Sequence, residues 1–78
     1  MIKIYTKDKC VQCGFTKDEF RRRGIDFEEI DVTPELAIEL QAQYGIASVP
    51  FVKVNEDSYW TGFRPDRIEE IANEVNNQ

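Results

Sequence analysis

Apolar residues change their spacing several times along this chain, and each change marks an element. Ile2 and Ile4 alternate with Lys3 and Tyr5, the period-two pattern of a short strand with one clearly apolar face. A polar loop, Thr6-Lys7-Asp8-Lys9, follows. From Val11 to Arg23 the spacing turns helical: Cys13, Thr16 and Phe20 fall on one face, while Phe15 points elsewhere and leaves the stripe ragged. Gly24 ends that helix, and Arg21-Arg22-Arg23 reads as a solvated last turn that complements the helix dipole rather than as a binding patch. Ile25 to Val32 is a second strand whose alternation breaks between Phe27 and Ile30, as near a sheet edge or bulge. Thr33 caps the next helix, Pro34 opens it, Leu36, Ala37, Leu40 and Tyr44 form its stripe, and Gly45 closes it.

Ile46-Ala47-Ser48 is a connector. Pro50 lacks a ladder donor and belongs at the first position of the apolar run Phe51-Val52-Lys53-Val54. Asn55-Glu56-Asp57 turns the chain back into a return strand, Ser58 to Thr61. Pro65 opens the last helix, in which Ile68, Ile71, Ala72 and Val75 make an unbroken stripe; residues 76–78 are expected to fray. The order β-α-β-α-β-β-α implies an α/β fold: a right-handed parallel crossover, then a hairpin, giving a mixed four-stranded sheet flanked by three helices. One domain spanning 1–78 is expected, because a chain of 78 residues builds only one small core and buries only about 60% of its unfolded surface.

Charge and composition narrow the partners. Fifteen acidic residues against ten basic give a formal charge of −5, the wrong sign for a nucleic-acid partner. No run of 18 apolar residues is present, so no membrane span is expected. The strand pattern starts directly at the N-terminus, so no signal peptide is expected either. Two closely spaced cysteines are not a secreted disulfide framework, and a reducing cytoplasm is the expected compartment.

Those two cysteines are the chemical centre. Cys10-Val11-Gln12-Cys13 lies between a strand and the head of a helix, the setting of a redox pair. Free N–H groups and the dipole at a helix start stabilise an anion, so a thiolate there is favoured near neutral pH. Cys10, preceding the helix, is the candidate exposed nucleophile. Cys13, one turn on, is the candidate buried resolving thiol and can close a disulfide with Cys10 without moving the fold. Lys7 and Lys9 could add positive potential near Cys10, or be two solvated loop lysines. Val11 and Gln12, between the cysteines, are expected to face a partner. A purely structural bridge is the competing reading, but so short a loop stabilises by only about 2 kcal/mol, against about 3 for a loop of about 15 residues. A zinc site needs four ligands, and with two Cys and no His the chain could complete one only with carboxylates or a second molecule.

The element order, the Cys-x-x-Cys after the first strand and the Val49-Pro50 before the third resemble the thioredoxin/glutaredoxin fold. Three features resemble the NrdH-redoxins in particular, glutaredoxin-like proteins with thioredoxin-like activity: Cys10-Val11-Gln12-Cys13, Thr16-Lys17, and Trp60-Thr61-Gly62-Phe63-Arg64-Pro65-Asp66. Thr61 stands where Ser is usual, keeping the hydroxyl. Gly14-Phe15 stands where a variable residue and a small Ala are common. The resemblance implies a dithiol–disulfide oxidoreductase with no bound cofactor, acting as a monomer. It would draw electrons from NADPH through thioredoxin reductase and pass them to the large subunit of class Ib ribonucleotide reductase. It implies a cis Val49–Pro50 bond facing the cysteines, with Val49 and Pro50 contacting substrate. Gly62 and Phe63 occupy the turn where glutathione docks in glutaredoxins. Trp60 and Phe63 are candidates for partner contact or for core packing, and Arg64 for a loop-holding ion pair or for substrate contact. A glutathione-dependent glutaredoxin and a metal- or cluster-bridging module built on Cys10 from two chains are the competing functions.

Overall fold

The computed structural model describes residues 1–76. It contains β1 (Ile2–Thr6), α1 (Val11–Arg22), β2 (Phe27–Asp31), α2 (Pro34–Tyr44), β3 (Phe51–Asn55), β4 (Ser58–Thr61) and α3 (Pro65–Asn76), in the order read from the sequence. Asn76 closes α3, and the remaining residues expected to fray, 77–78, lie outside the described ones.

The caps are the local signals at work. The Thr33 hydroxyl accepts the Leu36 N–H at 3.1 Å, Pro34 occupies the first turn of α2, and Gly45 ends it at φ +69°, where an L side chain is strained. The α1 helix stops at Arg22, one residue short of expectation, with Arg23 as its C-cap. Each cation of the basic run is committed locally: Arg21 to Asp18, Arg22 and Arg23 to Glu19.

The sheet runs β2-β1-β3-β4. The β1–β2 pair is parallel, and the β1–β3 and β3–β4 pairs are antiparallel. The two inner strands are therefore β1 and β3, and both of their faces are covered. Ile4, Val52 and Trp60 lie in register and pack with Phe20, Ile68 and Ile71 beneath α1 and α3. Tyr5 and Phe51 point the other way, stack at 5.2 Å, and pack with Leu40 of α2. This corrects the expectation of a single apolar face on the first strand. Tyr5 and Thr6 are buried too, because a central strand has no wet side. The β2 strand is the edge that its broken alternation suggested, but it is shorter than expected. Ile25 stays outside it, buried in the turn after α1 with its N–H donated to Phe20 O at 2.9 Å. Val75, expected to complete the α3 stripe, is 48% exposed, while Ile71 and Ala72 are buried.

Candidate active site

The site forms where β1 hands over to α1. Lys9 adopts a left-handed conformation, φ +61°, uncommon for a non-glycine residue, and this turn sets Cys10 at the N-cap of α1. Cys10 is half-buried, and its Sγ accepts the Cys13 N–H at 3.1 Å. Cys13 lies inside the first turn, is 2% exposed, and is joined to Cys10 in a disulfide with the Cα atoms 5.2 Å apart. No acidic residue occupies the first turn of α1, so nothing there opposes a negative sulfur at the helix start. When the bond is reduced, the same N–H and the helix terminus are placed to hold a Cys10 thiolate. Thr16, wholly buried one turn beyond Cys13, donates its hydroxyl to Gln12 O at 2.8 Å, which satisfies a polar group that has no access to water.

Both cysteines line an open groove of about 510 Å³ with Lys7, Lys9, Lys17, Asp8, Glu29 and Asp31. Three cations and three carboxylates balance, so Lys7 and Lys9 do not give the groove a net positive charge. The helix start is the one-sided contribution. Inside the groove, Lys17 Nζ lies 2.8 Å from Glu29 Oε2, and the Thr6 hydroxyl donates to the same oxygen at 3.1 Å. The Lys17 ammonium holds the Glu29 carboxyl below its ordinary range. Sequence reading missed this network, since it joins β1, α1 and the edge strand. Among the described residues, no set of three or more His, Cys, Asp or Glu is grouped to hold a metal ion.

Three distant segments meet beside the cysteines. The Val49–Pro50 bond is cis, as the fold resemblance implied, and the Pro50 ring is fully buried while Val49 is half-buried. Gly62, at φ +83°, donates its N–H to Pro50 O at 2.8 Å. The next N–H, of Phe63, goes to Gln12 Oε1 at 3.2 Å, across 51 residues of sequence. Gln12 is exposed as expected, yet its side chain is tied to the turn before α3. The Phe63 ring tilts against Phe15 at 5.8 Å and packs onto the core below. The large residue at position 15, where small ones are common, thus has a partner in this chain. Val11 is exposed on the same turn of helix.

Trp60 is placed differently. Its side chain is 6% exposed and packs in the core between sheet and α3, with the Arg67 guanidinium 5.1 Å from its ring centre. That corrects the partner-facing alternative: residues alternate across β4, and position 60 faces the helices. Arg64 realises the ion-pair alternative, with Nη2 and Nε at 2.8 and 3.1 Å from the two carboxylate oxygens of Asp66. Its carbonyl accepts the N–H groups of Arg67 and Ile68 at the start of α3.

Comparison with known proteins agrees with this geometry. The glutaredoxin family model matches residues 2–59. The glutaredoxin-like protein NrdH of Escherichia coli K12 is 47% identical over 72 residues, covering 90% of this chain and 86% of that protein. The NrdH of Lactococcus lactis subsp. lactis is 30% identical over 74 residues, covering 92% of this chain and all of that one. Among solved structures, the E. coli NrdH-redoxin, described as glutaredoxin-like with a thioredoxin-like activity profile, superposes with a TM-score of 0.81, covering 90% of this chain and 92% of that one. A glutaredoxin from Archaeoglobus fulgidus, 25% identical, gives 0.75 over 88% of this chain and 82% of that one. With a strand-to-helix turn presenting a Cys10–Cys13 pair, and with this sequence kinship along most of its length, the chain belongs to the glutaredoxin family and, within it, to the NrdH glutaredoxin-like redoxins, which are thiol–disulfide oxidoreductases.

Proposed function

We propose that this NrdH-type redoxin takes electrons from thioredoxin reductase, and so from NADPH, and delivers them to the disulfide of the class Ib ribonucleotide reductase large subunit, as a cytoplasmic monomer. The observation that carries this reading is the occupied turn before α3. Both N–H groups at Gly62 and Phe63 are already donated, to Pro50 O and to Gln12 Oε1, and Pro65 has none to offer. A small anionic tripeptide such as glutathione needs free backbone donors for its carboxylates, and here that turn is closed by the chain itself. A protein reductase needs none of them. It meets a surface, to which Val11 and Phe15 contribute exposed apolar area.

The exchange runs in two steps. The Cys10 thiolate attacks one sulfur of the acceptor disulfide. That bond breaks, a mixed disulfide forms on Cys10, and the acceptor's other sulfur leaves as a thiolate and takes a proton from solvent. Cys13 then gives up its proton and attacks Cys10 Sγ, closing the Cys10–Cys13 bond and releasing the acceptor's second thiol. The acceptor gains two electrons and two protons, and thioredoxin reductase restores the dithiol.

Two coupled assays of NADPH oxidation test the donor: one with thioredoxin reductase, the other with glutathione and glutathione reductase, each with a protein disulfide as acceptor. Efficient turnover is expected in the first and poor turnover in the second. Robust turnover with glutathione and none with thioredoxin reductase would make this chain a glutathione-dependent glutaredoxin.

A further inference from the structure

The resolving step needs a proton to leave Cys13, a residue that water hardly reaches. Cys13 is 2% exposed, and its own N–H is spent on Cys10 Sγ. A buried thiol gives up its proton reluctantly unless a cation stands close. Lys17 follows Cys13 by four residues on α1, and such positions share a helix face with Cβ atoms about 5–6 Å apart. Long helical side chains lean towards the N-terminus, so the Lys17 stem runs back over the turn that carries Cys13. Its head is held in place. Nζ lies 2.8 Å from Glu29 Oε2, and the hydroxyl of the buried Thr6 donates to the same oxygen at 3.1 Å. Lys17, Glu29 and Thr6 all line the groove that holds both cysteines. The Lys17 and Glu29 side chains are 22% and 39% exposed, so water screens them less than the other charges of the groove, Lys7, Asp8, Lys9 and Asp31, which are all exposed. Arg21, exposed on α1, adds a weaker positive contribution at Glu29. With its carboxyl held below the ordinary range, Glu29 stays ionised around neutral pH.

We infer that Lys17 and Glu29 together set how readily Cys13 gives up its proton, and with it the rate of the resolving step. The Lys17 ammonium, on the helix face of Cys13, favours the thiolate. Glu29 opposes it by its charge and, with Thr6, is a positioning residue that fixes where the ammonium sits. The inference rests on the disulfide-exchange chemistry proposed above. In the step concerned, Cys13 loses its proton to solvent and the thiolate attacks Cys10 Sγ. The Cys10–Cys13 bond forms, the bond from Cys10 to the acceptor breaks, and the acceptor sulfur leaves as a thiolate. The competing account is an ion pair that only joins α1 to the edge strand β2. The two accounts separate on one point. Removing the cation and removing the carboxylate push the proton of Cys13 in opposite directions, whereas loss of a structural link pushes it in neither.

The test mixes the fully reduced protein with one equivalent of dipyridyl disulfide, an uncharged probe, in a stopped-flow spectrometer. Attack by Cys10 releases one pyridinethione, and attack by Cys13 on the mixed disulfide releases the second. Cys13→Ser, which keeps only the first release, identifies the two phases. The rate of the second phase is then followed against pH. An opposite charge within about 4–6 Å moves a titration by about 1–3 pH units, and the partial exposure of this pair puts it at the low end. In Lys17→Gln the midpoint of the second phase is expected about one pH unit higher, which is about tenfold slower on the acid side. In Glu29→Gln the midpoint moves lower. Lys17→Arg, and Lys17→Gln combined with Glu29→Gln, stay near the unsubstituted protein. Each profile is normalised to its own plateau, so partial unfolding of a variant does not hide the movement. Midpoints that stay put in the two single variants, or move the same way in both, overturn the inference and leave disulfide exchange standing. A second phase absent from the unsubstituted protein overturns both.

Discussion

Replacing Gln12 by alanine removes the side-chain acceptor that ties the cysteine turn to the turn before α3. The Phe63 N–H then loses its 3.2 Å partner. Because that donor is exposed, water replaces the lost oxygen, and the net cost falls at the low end for a hydrogen bond, about 0.5–1 kcal/mol. With a urea m-value of about 1 kcal/mol/M for so small a domain, the unfolding midpoint drops by about 0.5–1 M. The Gly62 N–H keeps its bond to Pro50 O at 2.8 Å, so the turn loosens without coming apart. The freed Phe63 N–H is then open to a carboxylate. A hydrogen bond to a charged group is worth about 1.5 kcal/mol, which corresponds to about tenfold in binding. Glutathione-coupled turnover of Gln12→Ala should rise by about that factor in kcat/KM, while turnover with thioredoxin reductase changes little. Gln12→Glu retains an acceptor oxygen and should keep both the midpoint and the poor glutathione activity. An unchanged midpoint together with unchanged glutathione turnover in Gln12→Ala would refute the reasoning that this bond closes the turn.

Other substitutions probe the roles of single side chains. Cys13→Ser should accumulate a covalent mixed disulfide with the acceptor on non-reducing gels and Cys10→Ser almost none; equal trapping by the two would sink the division into nucleophile and resolving thiol. Hydrogen bonds from Arg22 and then Arg23 lower the Glu19 carboxyl to about 2, a depressed acid whose stabilisation is complete above the ordinary value of 4.5 and lost as pH falls through about 2. Melting temperature measured from pH 5 to pH 2 should therefore fall less in Glu19→Gln than in the natural chain, and parallel curves would count against that linkage. Phe20→Ala empties a fully buried site and should cost about 3–5 kcal/mol in chemical denaturation. Trp60→Phe should cost clearly less, because it also removes an indole N–H that is buried without a hydrogen-bond partner among the described residues. Reductase-coupled activity should survive Trp60→Phe, since the ring is inside the core, and a selective loss of turnover in a stable Trp60→Phe protein would contradict that placement.

What the sequence determined by itself was governed by contacts within a turn or so of chain. Thr33 with Pro34 and Gly45 bracket α2, Pro65 opens α3, and the 55–57 turn joins two strands, all through caps and turns whose partners lie two to four residues away. The chemistry of the cysteine pair belongs to the same class, since the N–H that holds Cys10 Sγ is that of Cys13, three residues on. Period-two alternation also separated the two sides of the first strand, but it could not say which sides would be covered. That was decided when β1 and β3 became the inner strands, which buried Tyr5 and Thr6 as well as Ile4 and turned Trp60 into the core. The closed turn of the site is likewise tertiary. Gln12 and Phe63 are 51 residues apart, and Phe15 and Phe63 pair only because α1 and the chain entering α3 lie on the same side of the sheet. Helix, strand and cap are short-range choices of backbone angle and nearest hydrogen bond, whereas the neighbours of an exposed glutamine or a bulky aromatic residue depend on how distant elements dock, which no local pattern encodes.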